Sequence, residues 1–183
     1  TNGVYIYGAQ LEEQSYPTSY IPTNGGQVTR DAEACNNAGE AADFNGSEGV
    51  LYAEINPIAV KSSSGYIGLL GASTAHRVII GFPANSNDVT YFVVSGTTIA
   101  NQSYDIGDMN QYLKIALKYK QDDFALWVNG TEVSTSTSGT PDIDITHLGF
   151  YGYTTNQPFY GKVKAIRAYK EALSDTDLQN LTS

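Results

Sequence analysis

The clearest signal along the chain is a two-residue period over residues 113–120. Leu113, Ile115, Leu117 and Tyr119 fall on one side, and Lys114, Lys118 and Lys120 fall on the other. That spacing predicts a β-strand with one buried and one wet face. Similar short runs rich in β-branched and aromatic residues occupy 4–11, 49–55, 66–70, 77–82, 89–95, 124–128, 131–134, 146–151 and 161–169. The spacers hold Pro57, the Ser62-Ser63-Ser64-Gly65 run, Gly71 and the Asn85-Ser86-Asn87-Asp88 run, which are turn residues. Residues 27–34 form another candidate strand. Residues 16–23 are extended, but Pro17 and Pro22 keep them out of a central strand.

Asn129-Gly130 lies between two such runs. A two-residue hairpin turn of type I′ needs positive φ at both central positions, and Asn-Gly tolerates it best. The chain ends differently. Ser174 precedes Asp175, Thr176 and Asp177, and Leu178 and Leu181 follow three apart. Ser174 predicts an N-cap, with Asp177 at the reciprocal capping position of a short terminal helix. The whole pattern predicts an all-β, two-sheet antiparallel jelly-roll sandwich with one short C-terminal helix. Asn24-Gly25-Gly26 reads as a linker, which divides the chain into 1–26 and 27–183.

Composition narrows the function. Only 16% of residues are charged and 14 are tyrosine, which fits short strands and polar turns rather than a helical bundle. The formal net charge is −9, so phosphate backbones and acidic lipid surfaces are repelled, and neither nucleic acid nor membrane is an expected partner. No apolar run approaches the roughly 20 residues of a membrane span. Cys35 is the single cysteine, so no disulfide can form within the chain. Thr1-Asn2-Gly3 has neither a basic start nor an initiator Met, so a piece of a longer protein without a signal peptide is expected.

Catalytic constellations are scarce. Asp31 and Glu33, or Asp142 and Asp144, are two apart and share a strand face, and both pairs read as solvated turn carboxylates. His76 and His147 stand apart, form no zinc motif, and read as strand-edge residues. There is no Gly-x-Ser-x-Gly elbow, and Cys35 has no basic neighbour to activate it. Calcium wants six to eight oxygens from turns. Asp43, Asn45 and Glu48 alternate in such a turn and are the candidate ligands of a structural Ca²⁺, with Asp105/Asp108 and Asp142/Asp144 as rivals. The run is no EF-hand loop, because Glu48 stands where that loop needs Gly.

Sugars are recognised by aromatic faces flanked by amide and hydroxyl groups. Trp127, Tyr66, Tyr91, Tyr151, Tyr153 and Tyr160 are the aromatic candidates, with Asn156 as a hydroxyl reader. Trp127 is out of phase with Phe124, Leu126 and Val128, so it points to the other face of its sheet. If exposed there, it forms a stacking platform. The bland alternative is that it packs beneath a neighbouring loop. Residues 151–156 mix Tyr, Gly, Thr and Asn, as adaptable recognition loops do. The lysine row reads as a solvated face, with an acidic polysaccharide as the sharper alternative.

Five segments in order resemble one family. These are Tyr5 to Glu13 followed by Thr18 to Thr23; Val28 to Ala32; Ser47 to Glu54; Leu113 to Gly130; and Gly161 through Asp175 to Leu178. Together they are similar to concanavalin A-like, laminin-G-like jelly rolls of phage and prophage tail-fibre proteins. The resemblance implies a binding module on a virion surface, on a tail fibre, spike or capsid decoration, attaching to glycan. It also implies other virion subunits as partners, and a symmetric homo-oligomer such as a trimer. Relatives of this fold also include carbohydrate-binding modules of secreted polysaccharide-degrading enzymes, and structural assembly domains. Both remain alternatives. The chain lacks the Glu-x-Asp-x-x-Glu strand of the glucanases that share the fold and the Gln-Ile-His or Gln-Val-His tripeptide of its alginate lyases, so no catalysis is expected. In that family the first 23 residues often close a preceding sandwich. Here they are expected to pack outside the main domain or to swap onto a neighbour.

Overall fold

The computed structural model describes residues 38–57, 63–152 and 157–183, together with residues 3, 20–22, 24–26 and 28. The chain divides into two compact units, Thr1–Ala34 and Cys35–Ser183. The first unit falls almost wholly outside the described residues, and so do the expectations placed on residues 4–11, 16–23 and 27–34 and on Cys35.

The second unit is an all-β sandwich with one short helix. Its strands are β1 (Gly49–Pro57), β2 (Gly65–Gly71), β3 (His76–Phe82), β4 (Asp88–Ser95) and β5 (Thr97–Asp105), then β6 (Leu113–Tyr119), β7 (Phe124–Val128), β8 (Thr131–Ser136), β9 (Ile145–Gly149) and β10 (Gly161–Tyr169). They form two five-stranded sheets in the orders β10-β1-β6-β7-β8 and β5-β4-β3-β2-β9. Every strand pairing is antiparallel. Helix α1 (Asp175–Thr182) closes the chain. No helix among the described residues is long and apolar enough to cross a membrane.

The period-two pattern sets the core. Leu51, Ala53 and Ile55 of β1, Ile115 and Leu117 of β6, and Leu126 of β7 face Ile67, Leu69, Val78, Ile80, Val89 and Val93 of the other sheet, all buried. At roughly 25 cal/mol per Å² of apolar surface removed from water, this layer dominates the folding energy. The Asn-Gly hairpin forms as expected: φ is 47° at Asn129 and 79° at Gly130. Strand β5 carries little apolar signal (Thr-Thr-Ile-Ala-Asn-Gln-Ser-Tyr-Asp) and lies at a sheet edge with most of its residues exposed, so pattern alone does not find it.

The outer face of the β10-β1-β6-β7-β8 sheet is where expectation and structure part. Trp127 does point away from the core layer, but it is only 7% exposed. It packs with Val50, Tyr52, Ala116 and Ala125 under Leu178 of α1. The helix forms because the Ser174 hydroxyl accepts from the Asp177 backbone N–H at 3.2 Å. The Asp177 carboxylate turns to the Ser174 hydroxyl. At its other end the Thr182 hydroxyl accepts from the Gly130 N–H at 3.1 Å, tying the helix to the β7–β8 hairpin.

The lysine row is a solvated face only in part, since Lys120 is exposed while Lys118 is buried. The side chain of Lys118 is 6% exposed and pairs with Asp123 at 2.8 Å and with Asp175, at the helix start, at 3.0 Å. Lys114 donates to the Ser183 carbonyl, and Lys120 lies 3.3 Å from Glu48. A short helix needs tertiary contacts to persist, and Lys118 and Lys114 hold its two ends. Burial alone would lower the Lys118 pKa, but hydrogen bonds and charge from Asp123 and Asp175 outweigh it and raise the pKa above 10.5.

Two predictions follow from this packing. Leu178→Ala should cost about 2–4 kcal/mol in urea-melt stability, because the site beneath the helix collapses only partly. Lys118→Ala should cost about 1–2 kcal/mol, its partners being half-exposed and able to rehydrate. A folded-state pKa above the unfolded value means the Lys118 contribution is complete below pH 10.5 and fades as pH climbs through the folded pKa. Melts of the wild type and Lys118→Ala should therefore converge at strongly alkaline pH. A gap that stays constant would disprove the anchor.

Candidate functional site

The other sheet, β5-β4-β3-β2-β9, keeps its outer face away from α1. With Ile67 and Leu69 turned inward, β2 turns Tyr66, Gly68 and Leu70 outward. Cross-strand partners share a face, so register places Leu70 between Arg77 of β3 and His147 of β9, Tyr66 opposite Gly81, and Gly68 opposite Gly149.

Glycine makes room for two tyrosines. A Cβ on Gly81 would stand 2.6 Å from the Tyr66 ring, and one on Gly152 would stand 2.9 Å from it. A Cβ on Gly149 would stand 2.7 Å from the Tyr151 ring. Both rings therefore approach the backbone more closely than a side chain at these positions would allow. The structure thus brings Tyr66 and Tyr151 together around Gly152, as two of the aromatic candidates. Tyr153 and Asn156 lie outside the described residues.

Beside Tyr151 a shallow pocket of about 110 Å³ opens at the rim. Leu70 and Ala72 line its apolar part, Tyr151 and Gly152 flank them, and the β2–β3 turn adds Ser73 and Thr74, with His76 and Arg77 following. A water molecule takes about 30 Å³ of liquid, so the pocket suits one edge of a sugar ring or one substituent rather than a whole chain. No Asp or Glu is among the described residues that line it.

The polar groups here are already ordered. The Asp144 backbone N–H donates to His76 Nδ1 at 3.2 Å. His147 Nε2 lies 2.9 Å from the Tyr151 hydroxyl, and its Nδ1 lies 2.9 Å from the Thr146 hydroxyl. Thr146 in turn donates to the Leu70 carbonyl at 3.2 Å. Burial lowers the His147 pKa from 6.5, which keeps the ring neutral near pH 7.

Other sequence candidates take structural roles. Trp127, under α1, offers no ring face to a ligand, because the helix that completes its packing lies on it. Tyr91 is 0% exposed in the core between the sheets, and burial raises its pKa. Val89 and Val93 at the same phase carry it inward, which corrects its place among the sugar-binding candidates. Ser134 faces its hydroxyl, but no fully formed hydrogen bond results. Tyr160 is 44% exposed.

The three calcium candidates are likewise occupied with protein. Asp43 accepts from the Glu40 N–H at 3.0 Å, and Asn45 accepts from the Ser47 N–H at 3.0 Å while its amide donates to the Lys170 carbonyl at 2.9 Å. Glu48 faces Lys120. An Asx turn and an ion pair already engage oxygens that a calcium cage would draw on. Among the described residues no three His, Cys, Asp or Glu side chains gather as a metal site. Asp105 and Asp108 cap their own turns through the Gly107 and Asn110 N–H groups. Asp31 and Glu33 lie outside the described residues.

Sequence reasoning overlooked Arg77, His147 and the Ser73–Thr74 turn as parts of one site. A readable signal exists in Thr146-His147 with Tyr151 four residues on. It is concealed by a bulge: Leu70 pairs with His147 and Gly71 with Ile145, leaving Thr146 unpaired.

Comparison with known proteins accords with this architecture. Residues 37–179 match the concanavalin A-like lectin/glucanases superfamily. A search of curated proteins finds no match. Among solved structures, the CBM40 module of the Ruminococcus gnavus IT-sialidase bound to α2,3-sialyllactose superposes with a TM-score of 0.61 at 14% identity, covering 76% of this chain and 84% of that one. Domain 4 of an extracellular GH43 arabinanase from Geobacillus stearothermophilus, in complex with arabinotriose, gives 0.58 at 14% identity, covering 79% and 70%. The leech intramolecular trans-sialidase gives 0.58 at 17% identity, covering 75% of this chain and 23% of its own. Sandwich, strand pairing and sequence match agree, and the chain belongs to the concanavalin A-like lectin/glucanases superfamily.

Proposed function

We propose that this chain is a non-catalytic module that binds glycan through the Tyr151 rim pocket. One observation carries the reading. A tyrosine packed close on glycine borders a small pocket of hydroxyl, imidazole and guanidinium groups, and no carboxyl group is among its described lining. Hydrolysis of a glycosidic bond ordinarily needs two carboxyl groups roughly 5–9.5 Å apart across the substrate. Sugar binding needs only an aromatic face and well-placed polar atoms. Two of the similar structures hold sialyllactose and arabinotriose, which is further support. A pocket this small binds weakly, and repetition on a larger assembly supplies the avidity.

The setting is a phage virion surface, on the strength of the five ordered segments that resemble tail-fibre proteins. There the module meets other virion subunits, in a symmetric oligomer such as a trimer. A second setting, an extracellular polysaccharide-degrading enzyme, is favoured by the sialidase and arabinanase origins of the similar modules. The neighbouring genes of the parent distinguish the two.

A glycan array that includes sialyllactose and arabinotriose should show retention of the folded chain. Tyr151→Ala should reduce it about tenfold, the loss of one stacking and hydrogen-bonding residue. Trp127→Ala should lower stability by about 3–5 kcal/mol while leaving retention by the folded fraction unchanged. Equal losses from the two variants would point away from the rim. Washing with EDTA should change neither retention nor melting temperature. A clear drop in either would restore calcium to the account.

A further inference from the structure

The hydrogen-bond chain behind Tyr151 takes its direction from where the Thr146 proton goes. It starts at the Leu70 carbonyl, which can accept but not donate. Thr146 lies 3.2 Å from that oxygen and gives it its single hydroxyl proton. Toward His147 Nδ1, at 2.9 Å, the same hydroxyl can then only accept. With the Thr146 proton directed at the Leu70 carbonyl, Nδ1 carries the imidazole proton. A neutral ring has one such proton, so Nε2 presents a lone pair. The Tyr151 hydroxyl, at 2.9 Å, donates to it.

His147 does not line the pocket, whereas Tyr151 does. The phenolic proton is drawn away toward β9, and the oxygen keeps its accepting capacity. We propose that His147 is a positioning residue that holds the Tyr151 proton inward, so that Tyr151 meets a ligand as an acceptor and selects a sugar hydroxyl that donates. The proposal rests on the glycan reading for its ligand, and the direction of the relay rests on the Thr146–Leu70 hydrogen bond.

The bulge at Thr146 makes the arrangement available. In a regular strand Thr146 and His147 would point to opposite faces. The unpaired residue re-aims Thr146 so that both side chains meet over Leu70. Tyr151 follows β9 directly, and Arg77 stands on the same face across Leu70, with His76 beside it. Burial favours neutral His147. Acid reverses the direction: a proton on Nε2 donates to the Tyr151 oxygen and releases the phenolic proton outward.

Long-range ¹H–¹⁵N correlation on the labelled chain reads the tautomer without any ligand. At mildly alkaline pH His147 should hold its proton on Nδ1, the reverse of the tautomer that free neutral histidine favours. Thr146→Val should shift it toward Nε2, and Thr146→Ser should restore it. On the array, Tyr151→Phe keeps the ring and should lose about threefold to fivefold in retention of sialyllactose or arabinotriose, the worth of one hydrogen bond. An Nε2 proton in the wild type overturns the relay, and unchanged retention by Tyr151→Phe overturns its role in selection. The expected tautomer with no glycan retained removes the glycan reading and leaves the relay standing.

Discussion

Two sheets bury one set of side chains between them, and every other feature answers to that packing. The phase that sends Leu51, Ile115 and Leu117 inward also sends Val50, Ala116 and Lys118 outward. The phase that sends Ile67 and Leu69 inward sends Tyr66 and Leu70 outward. A sandwich thus has two outer faces that its core does not protect. This chain treats them differently. One is roofed by α1, and the other keeps a row of polar and aromatic groups at its rim.

Lys118 shows how the roof is held. A lysine on a strand's wet face is ordinarily solvated. Here two carboxylates converge on it, one from the turn after β6 and one from the start of α1. The charge would be expensive to bury alone, and the pair of partners makes burial tolerable. With α1 in place Trp127 is excluded from water, and its ring adds to the packing beneath Leu178. Its Nε1 has no partner among the described groups, a sign that apolar burial rather than hydrogen bonding sets its position.

The fold was legible because period two and turn chemistry are local. Residues 113–120 and the Asn129-Gly130 turn could be read from a few neighbours, and so could the Ser174 cap. The fate of outward residues was not local. Whether Trp127 meets water depends on a helix some fifty positions later in the chain. Whether Lys118 is solvated depends on Asp175. Tyr91 is readable in principle, since Val89 and Val93 share its phase. Tyr151 stands out as a candidate from its loop composition, whereas its partner His147 does not.

What concealed His147 also explains its use. A strict two-residue period would leave Thr146 and His147 on opposite faces, and no sequence pattern announces the extra residue that changes this. The bulge breaks the regularity of β9 at its first residues, opposite Leu70 of the pocket. A regular strand can offer a ligand only the side chains its phase allows, whereas a bulged one can align neighbouring residues into a single hydrogen-bond path. The sandwich therefore supplies a rigid floor, glycines let the aromatic rings lie on it, and one local irregularity decides which way a tyrosine proton points. On the proposed glycan reading, recognition on this face depends less on the number of aromatic residues than on the order that the backbone imposes behind one of them.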